Sequence, residues 1–301
     1  MAYIKQILRK RLLQLISLLA VIRFPNLLLI LVGQYLTSIF ILANTSNIFE
    51  VLFDLRLFCL VMSSAISIAS GYIINDFYDT EKDLINRPRR SQLHQILSRQ
   101  RKLSLYFVLN FLSVIIASYV SFNAVIFFSS YIFSIWLYSH KINKVTFSRN
   151  IMATLLAITP FFATFIYFKN YDYVIFVHAL FLFIILFMKG LVKDMENVKG
   201  DLTYGYQTFP VTFGETKTKY FLYIGTLLCL ITCYVITRNF DVANMSYYFI
   251  SSSVVMVIFS LFLYKATTQQ DYYRLHLVLK FVIAIGVFSI PLIKVNNSLF
   301  G

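Results

Sequence analysis

Long unbroken apolar runs dominate this chain. They lie near residues 17–42, 51–75, 103–121, 123–139, 151–168, 173–191, 219–237, 246–264 and 274–296, with short polar stretches between them. A helix rises about 1.5 Å per residue, so roughly 20 apolar residues cross the hydrocarbon of a bilayer. The runs are continuously apolar rather than alternating, which predicts helices and not the strands of a barrel. The pattern predicts an all-α, polytopic transmembrane bundle of about nine spans, as those runs count. Arg23 and Arg56 make the first two runs the least clean. No polar stretch is long enough for a separate soluble domain, so residues 1–301 are expected to form a single transmembrane domain. The N-terminus has a basic start and an apolar stretch, like a signal peptide. No small-residue cleavage site follows and the run continues past Asn26, so it is expected to be retained.

Composition supports this reading. Hydrophobic residues make up 59% of the chain and charged residues 13%, about half the charged share of a soluble domain. The net charge of +14 could suggest a nucleic-acid partner, but its placement excludes that. With the N-terminus in the cytoplasm, cytoplasmic segments hold 21 of the 27 Lys and Arg, and outside loops hold only Arg56, Lys169, Arg238 and Lys294. That asymmetry sets topology. Cys59, Cys229 and Cys233 all lie in apolar runs, where packing is expected. The four histidines show no metal-ligand spacing, although His178 sits inside a span.

The acids are concentrated. Seven of 13 fall in two windows: Asp76, Asp79, Glu81 and Asp83, then Asp194, Glu196 and Asp201. Each window follows an apolar run at its cytoplasmic end. A carboxylate at membrane depth costs about 2.5–3.5 kcal/mol on insertion scales, so a compensating cation is expected. Asp76, Asp79 and Asp83 stand at i, i+3 and i+7, within one arc of a helix, with Asn75 at its edge and Glu81 pointing away. Asp194, Asn197 and Asp201 repeat that spacing, with Lys193 flanking the arc and Glu196 facing away. One acidic turn at a membrane surface would be an ordinary solvated helix end. Two windows with matched spacing, four spans apart, point to magnesium held by oxygen ligands and shared with a diphosphate, and to an internal repeat.

A diphosphate also needs fixed cations. Arg87 and Arg90 follow the first window, Lys193 sits in the second, and Lys141, Lys144 and Arg149 lie in the third cytoplasmic loop. Arg87, Arg90 and Lys193 are the candidates closest to the acids, with Lys141 or Lys144 beside them. Arg89, Arg99, Arg101 and Lys102 read as topology signals. Phe77, Tyr78 and Tyr138 adjoin the polar windows and could shield a carbocation.

The pattern Asn75-Asp76-x-x-Asp79-x-x-x-Asp83, then Asn86-Arg87-Pro88-x-Arg90, resembles the first signature of the UbiA superfamily of intramembrane prenyltransferases. The stretch from Lys193 to Asp201, followed by Gly205, Thr208, Pro210 and Gly214, resembles the second. Arg23, Asn26, Tyr138-Ser139 and Asn150 extend the likeness over nearly the whole chain. The resemblance implies spans around a central cavity and Mg2+-dependent transfer of a polyprenyl group from a polyprenyl diphosphate, geranylgeranyl diphosphate above all. It implies that Asn75, Asp76, Asp79, Asp83, Asp194, Asn197 and Asp201 are metal and diphosphate ligands, and that the five aspartates among them are catalytic. Arg87, Arg90, Lys193 and either Lys141 or Lys144 would neutralise the diphosphate. Asn26 and Tyr138 would lie near the acceptor or the allylic cation. Three positions depart from the pattern: Asn197 where many members have Asp, Ser91-Gln92-Leu93 after the first motif, and Arg149 before Asn150 where many have Gly. The second window most resembles the glycerol-phosphate and chlorophyll or tocopherol branches, so geranylgeranylglycerol phosphate is the expected acceptor. An aromatic quinone precursor or a tetrapyrrole is the alternative. A non-enzymatic cation carrier would place its acids near the midplane, whereas these lie at one face.

Overall fold

A computed structural model describes residues 2–43 and 47–293. Side chains of residues 2–8 and of residue 10 fall outside that description, as does Lys294. Every regular element among the described residues is helical. Helices α1 (Ala2–Val21) and α2 (Phe24–Thr37) are separated at Arg23, which sits at φ 50°. A π-helical turn, Ser38–Leu42, extends α2. A short α3 (Ile48–Leu52) leads into α4 (Leu55–Asn86), 32 residues long. Pro88 cannot continue that helix and instead opens α5 (Pro88–His94). Ser98 and Ser121 cap α6 (Arg99–Ser118) and α7 (Phe122–His140) by accepting from the Arg101 and Ala124 N–H groups. Then come α8 (Ser148–Phe168), α9 (Tyr173–Glu196), α10 (Val198–Thr203), α11 (Phe209–Asn239), α12 (Ser246–Lys265) and α13 (Gln269–Ser289). Thr268 and Asp271 form a capping box at the start of α13.

Among the described residues nine helical segments are long and apolar enough to cross a membrane, and the protein is an integral, multi-pass, all-α membrane protein. Two boundaries differ from the hydropathy pattern. The first run is split, because α1 ends at Val21 and the span proper begins at Phe24. The second does not stop at residue 75: α4 carries on to Asn86, since no Pro or Gly interrupts it after Gly71.

The described residues form two compact units. One comprises the chain up to Leu31 with Leu55–Lys141; the other comprises Val32–Asp54 with the chain from Ile142 onward. In the first, α4 packs on α6 and α7 through small residues. Ser63 and Ser113 exchange hydroxyl-to-carbonyl hydrogen bonds of 3.2 and 2.9 Å, and the Ser67 and Ser113 hydroxyls lie 2.7 Å apart. Small polar residues let backbones approach and keep each buried hydroxyl satisfied in an apolar medium.

In the second unit α9 is central, flanked by α8, α11 and α13. Met188, Leu191 and Val192 of α9 are fully buried, against Leu222 and Cys229 of α11 and Leu279 of α13. Cys229 and Cys233 are core packing residues. The His178 Nδ1 lies 2.8 Å from the Val174 carbonyl of its own helix, and its Nε2 is buried without a hydrogen-bond partner. Pro160 interrupts α8, and the buried Gln34 amide donates to its carbonyl at 2.8 Å.

Helix α13 passes α12 at Gly286. A Cβ there would meet the Tyr248 hydroxyl at 2.5 Å and its Cζ at 2.8 Å, and that hydroxyl donates to the Val282 carbonyl. Gly286→Ala is expected to displace Tyr248 and destabilise the protein by about 1–3 kcal/mol, the usual cost of overpacking. Thermal unfolding in detergent will show this as a lowered Tm, and an unchanged Tm would refute the close approach.

Candidate functional site: two acidic windows, each with buried cations

The first window lies on an uninterrupted stretch of α4, so Asp76, Asp79 and Asp83 do share one helical face. Asp76 and Asp79 are buried. The Asn75 amide donates to Asp79 Oδ2 at 3.0 Å, and Lys82 Nζ lies 3.3 Å from Asp79 Oδ1. Asp76 is held from two other helices. Lys102 of α6 places its ammonium 2.7 Å from Oδ2, and His94 of α5 bonds Oδ1 through Nδ1. Arg90 Nε donates to His94 Nε2 at 3.3 Å. His94 therefore bridges Asp76 and the Arg90 guanidinium.

Lys102 corrects its reading as a topology signal. It is 2% exposed, in phase with Tyr106, Ser113 and Ala117 on the buried face of α6, whereas Arg99 and Arg101 are exposed. That helical phase was visible in the sequence. The role of His94 was not, because 18 residues and a helix break separate it from Asp76.

Around Arg90 the unit gathers positive charge. Burial first, then the Arg23 and Arg87 guanidiniums, push the Arg90 pKa below its usual value, while Asp83 and Asp76 act in the opposite direction. An arginine remains charged regardless, so the arrangement is a cluster of cations suited to an anion. Arg23 is held at positive φ between α1 and α2, with its guanidinium 5.0 Å from the Tyr72 ring centre. Asn26 is half-buried on the next turn, and its N–H donates to the Arg23 carbonyl. Tyr138 is half-buried near the end of α7, whose neighbouring His140 stacks on Trp136 and tilts against Tyr78.

The second window departs from the expected arc. Helix α9 ends at Glu196, and Asn197, at φ −107° and ψ 10°, separates it from the short α10. Asp201 therefore does not lie on a continuation of the helix that carries Asp194. Asparagine competes for backbone hydrogen bonds and favours such helix ends. Asp194 is 2% exposed and fully engaged within the unit. Arg149 Nη2 lies 3.0 Å from its Oδ1, and the Asn150 amide donates to its Oδ2 at 2.9 Å. Both partners open α8. Glu196 faces elsewhere, as expected, and pairs with His276 of α13 at 3.2 Å. Lys193 is half-buried in the last turn of α9.

The loop after α10 is tied to the segment before α8. Tyr206 N–H donates to the Asp201 carbonyl at 2.9 Å, Gln207 N–H to the Lys144 carbonyl at 3.2 Å, and the Thr146 hydroxyl to the Gln207 carbonyl at 2.8 Å. The Lys144 ammonium lies 5.8 Å from the Tyr206 ring centre. Lys144 thus belongs with the second window, whereas Lys141 is an exposed residue that caps α7 in the first unit.

Among the described residues no three His, Cys, Asp or Glu side chains converge as a metal cage. Magnesium commonly takes one or two carboxylates and completes its shell with waters and substrate phosphates. Asn197 Oδ1 and Thr208 Oγ1 are buried with no hydrogen-bond partner, so the second unit retains hard oxygen atoms with capacity to spare. The residues fit a magnesium–phosphate group.

Removing Lys102 should expose the cost of a buried carboxylate. Breaking a buried ion pair from one side costs about 3–5 kcal/mol. Lys102→Met is expected to lower Tm in detergent sharply, and Lys102→Met with Asp76→Asn to recover much of that loss. Equal Tm values for the single and double variants would show that the pair is not coupled.

The comparisons with known proteins agree with this geometry. The UbiA prenyltransferase family matches residues 31–284. The digeranylgeranylglyceryl phosphate synthase of Sulfurisphaera tokodaii is 28% identical over 170 residues, 56% of this chain and 61% of that protein, so the match spans less than two thirds of the relative. The digeranylgeranylglyceryl phosphate synthase of Methanobrevibacter smithii is 25% identical over 295 residues, 90% of this chain and 97% of that protein. A UbiA homologue from Archaeoglobus fulgidus, solved bound to GPP and Mg2+, superposes with a TM-score of 0.67 at 14% identity over 91% of this chain and 99% of that one, a likeness of fold. With 254 consecutive residues from 31 to 284 inside the family's pattern, and both acidic windows among them, this chain belongs to the UbiA prenyltransferase family.

Proposed function

We propose that the protein transfers a geranylgeranyl group from geranylgeranyl diphosphate to geranylgeranylglycerol phosphate in the membrane, with release of diphosphate, and that its two units work as one prenyltransferase domain. The observation that carries the reading is the pairing, in each unit, of a buried acidic window with buried cations at the end of an apolar span. Membership of the family and the digeranylgeranylglyceryl phosphate synthases among the relatives support the reaction class and the acceptor.

In this reading Asn75, Asp76, Asp79, Asp83, Asp194, Asn197 and Asp201 supply and order the oxygen ligands. Bound magnesium would supply the charge that lets a diphosphate sit beside carboxylates and leave. Arg87 and Arg90, with Arg23 beside them, would neutralise phosphate oxygens in the first unit, and Lys144 and Lys193 would do so in the second. The allylic carbon–oxygen bond breaks with its electron pair passing to the diphosphate. The acceptor hydroxyl then forms the new carbon–oxygen bond and loses its proton to water. Tyr138 and Asn26 would line the acceptor or cation end. The positive-inside asymmetry supports an orientation with the N-terminus and both windows on the cytoplasmic side.

Detergent-solubilised protein with magnesium and both substrates should release pyrophosphate and form the diether phosphate in equal amounts. Asp79→Asn and Asp83→Asn should each lower turnover about a hundredfold or more, the scale of losing one charge-stabilising group, and chelation of magnesium should abolish it. Undiminished turnover in both variants would refute the site.

A further inference from the structure

We infer that the surface of the first unit where α4, α6 and α7 meet the membrane boundary is a binding site for an anionic phospholipid, with Arg99 and His140 at its headgroup and Phe107 and Phe133 along its chains. The inference is independent of the prenyl-diphosphate reading, since none of these four residues belongs to an acidic window or to the cations assigned to the diphosphate.

Helix α6 packs on α7, and each carries a stripe that reaches the surface. On α6 the stripe is Arg99, Leu103 and Phe107, four residues apart and so on one face. On α7 it is Phe133, Trp136 and His140, at i, i+3 and i+7. Phe107 is 61% exposed and Phe133 59%. Each stripe is polar where its span begins or ends and apolar within the span. Rings join the two polar ends. The Arg99 guanidinium carbon lies 5.3 Å from the Phe77 ring centre, and Phe77 meets Tyr78 edge-on at 5.5 Å. Tyr78 lies 5.4 Å from His140, which stacks on Trp136 at 5.3 Å with the ring planes 6° apart. The series of contacts thus runs from α6 across α4 to α7.

This arrangement has the polarity of a lipid, with cations at the membrane boundary and apolar side chains below them. A belt of aromatic rings alone would sit in the interface of any bilayer. The cations set the charge of the partner. Arg99 rests on Phe77 with no acid in ion-pair reach, and the exposed Lys141, next after His140, has none either among the described residues. Glu81 is the exposed acid on the Phe77–Tyr78 side of α4, and Arg99 with Lys141 outweighs it. Uncompensated cations beside a span attract anionic headgroups. A guanidinium can also hold a phosphate through two parallel N–H groups, and its contact with the Phe77 ring restrains Arg99 before a lipid arrives.

Trp136 is the chain's single tryptophan, so its emission reports on this site. The detergent-solubilised full chain is titrated with dioctanoyl phosphatidylglycerol, with dioctanoyl phosphatidylcholine and with inorganic phosphate. Phosphatidylglycerol should change the emission saturably, phosphatidylcholine should bind about tenfold or more weaker, and inorganic phosphate should have no effect, since charge and chains are both required. Arg99→Gln should weaken phosphatidylglycerol binding about tenfold, the worth of a charge-assisted hydrogen bond. Arg101 is also exposed but lies roughly 200° around α6 from Arg99. Arg101→Gln removes the same charge and should leave the affinity within about twofold. Equal affinity for the two lipids would reduce the rings to an unselective belt and overturn the inference. A response to inorganic phosphate as strong as that to phosphatidylglycerol would show an anion site without a lipid and overturn it too. Equal losses in Arg99→Gln and Arg101→Gln would show general attraction to positive charge, and no loss in Arg99→Gln would remove the headgroup contact; either result overturns it. Emission that ignores both lipids overturns it as well, and where that emission varies with protein concentration the occupant is a second copy of the chain.

Discussion

A carboxylate at membrane depth must be matched by a cation, and the polar end of each unit is built around that constraint. An ionised Asp costs about 2.5–3.5 kcal/mol on insertion scales, a large fraction of the stability of a whole domain. The chain meets this cost locally. Asp76 lies against Lys102 and His94, and Asp194 against Arg149 and Asn150. Each partner comes from an element that follows or faces the acid-bearing helix. Pro88 stops α4 and starts the short α5 so that its last residue, His94, returns to Asp76. Ser98 caps α6 so that Lys102 falls on its buried face, and α8 opens with Arg149 and Asn150 together.

The same accounting governs the spans. A membrane helix satisfies its own backbone but not its hydroxyls or its prolines. Thr154, Thr159, Thr226, Thr232 and Thr237 each return a hydrogen bond to the carbonyl four residues back. Ser63, Ser67 and Ser113 satisfy one another across α4 and α6, and Gln34 reaches the Pro160 carbonyl. Packing and polar satisfaction are thus one design problem in this protein. The small residues that allow close helix approach are also those whose hydroxyls need a nearby acceptor.

Much of this was legible before the structure. Hydropathy reads the spans directly because lipid leaves little freedom in which residues face it. The acidic windows stood out because acids are scarce elsewhere. Boundaries were less legible, since hydropathy reports polarity and not helicity: α4 runs on through Asp76, Asp79 and Asp83 to Asn86 although apolarity ends near residue 75. The partners were least legible. His94 and Arg149 meet their aspartates only after the chain has folded, 18 and 45 residues away. Lys102 was misread because Lys and Arg near a cytoplasmic boundary all look like topology signals, and only helical phase with Tyr106 and Ser113 separates it from Arg99 and Arg101.

Equal spacing in sequence has produced two unequal windows, and the difference follows from one position. On α4 the residues after Asp76 remain helical, so Asp79 and Asp83 are carried on a rigid rod, and Lys82 and Asn75 brace Asp79 from that rod. On α9 Asn197 occupies the corresponding step, has no strong helical preference, and ends the helix. Gly200 follows and weakens any continuation further. Asp201 then lies on the separate short α10, and the loop that follows donates to its carbonyl through the Tyr206 N–H and to the Lys144 carbonyl through the Gln207 N–H. The first trio is carried on one continuous helix, whereas Asp194 and Asp201 sit on two helices that meet at Asn197. An internal repeat in sequence spacing need not be a repeat in mechanics, because the helix that turns spacing into geometry survives in only one of the two copies.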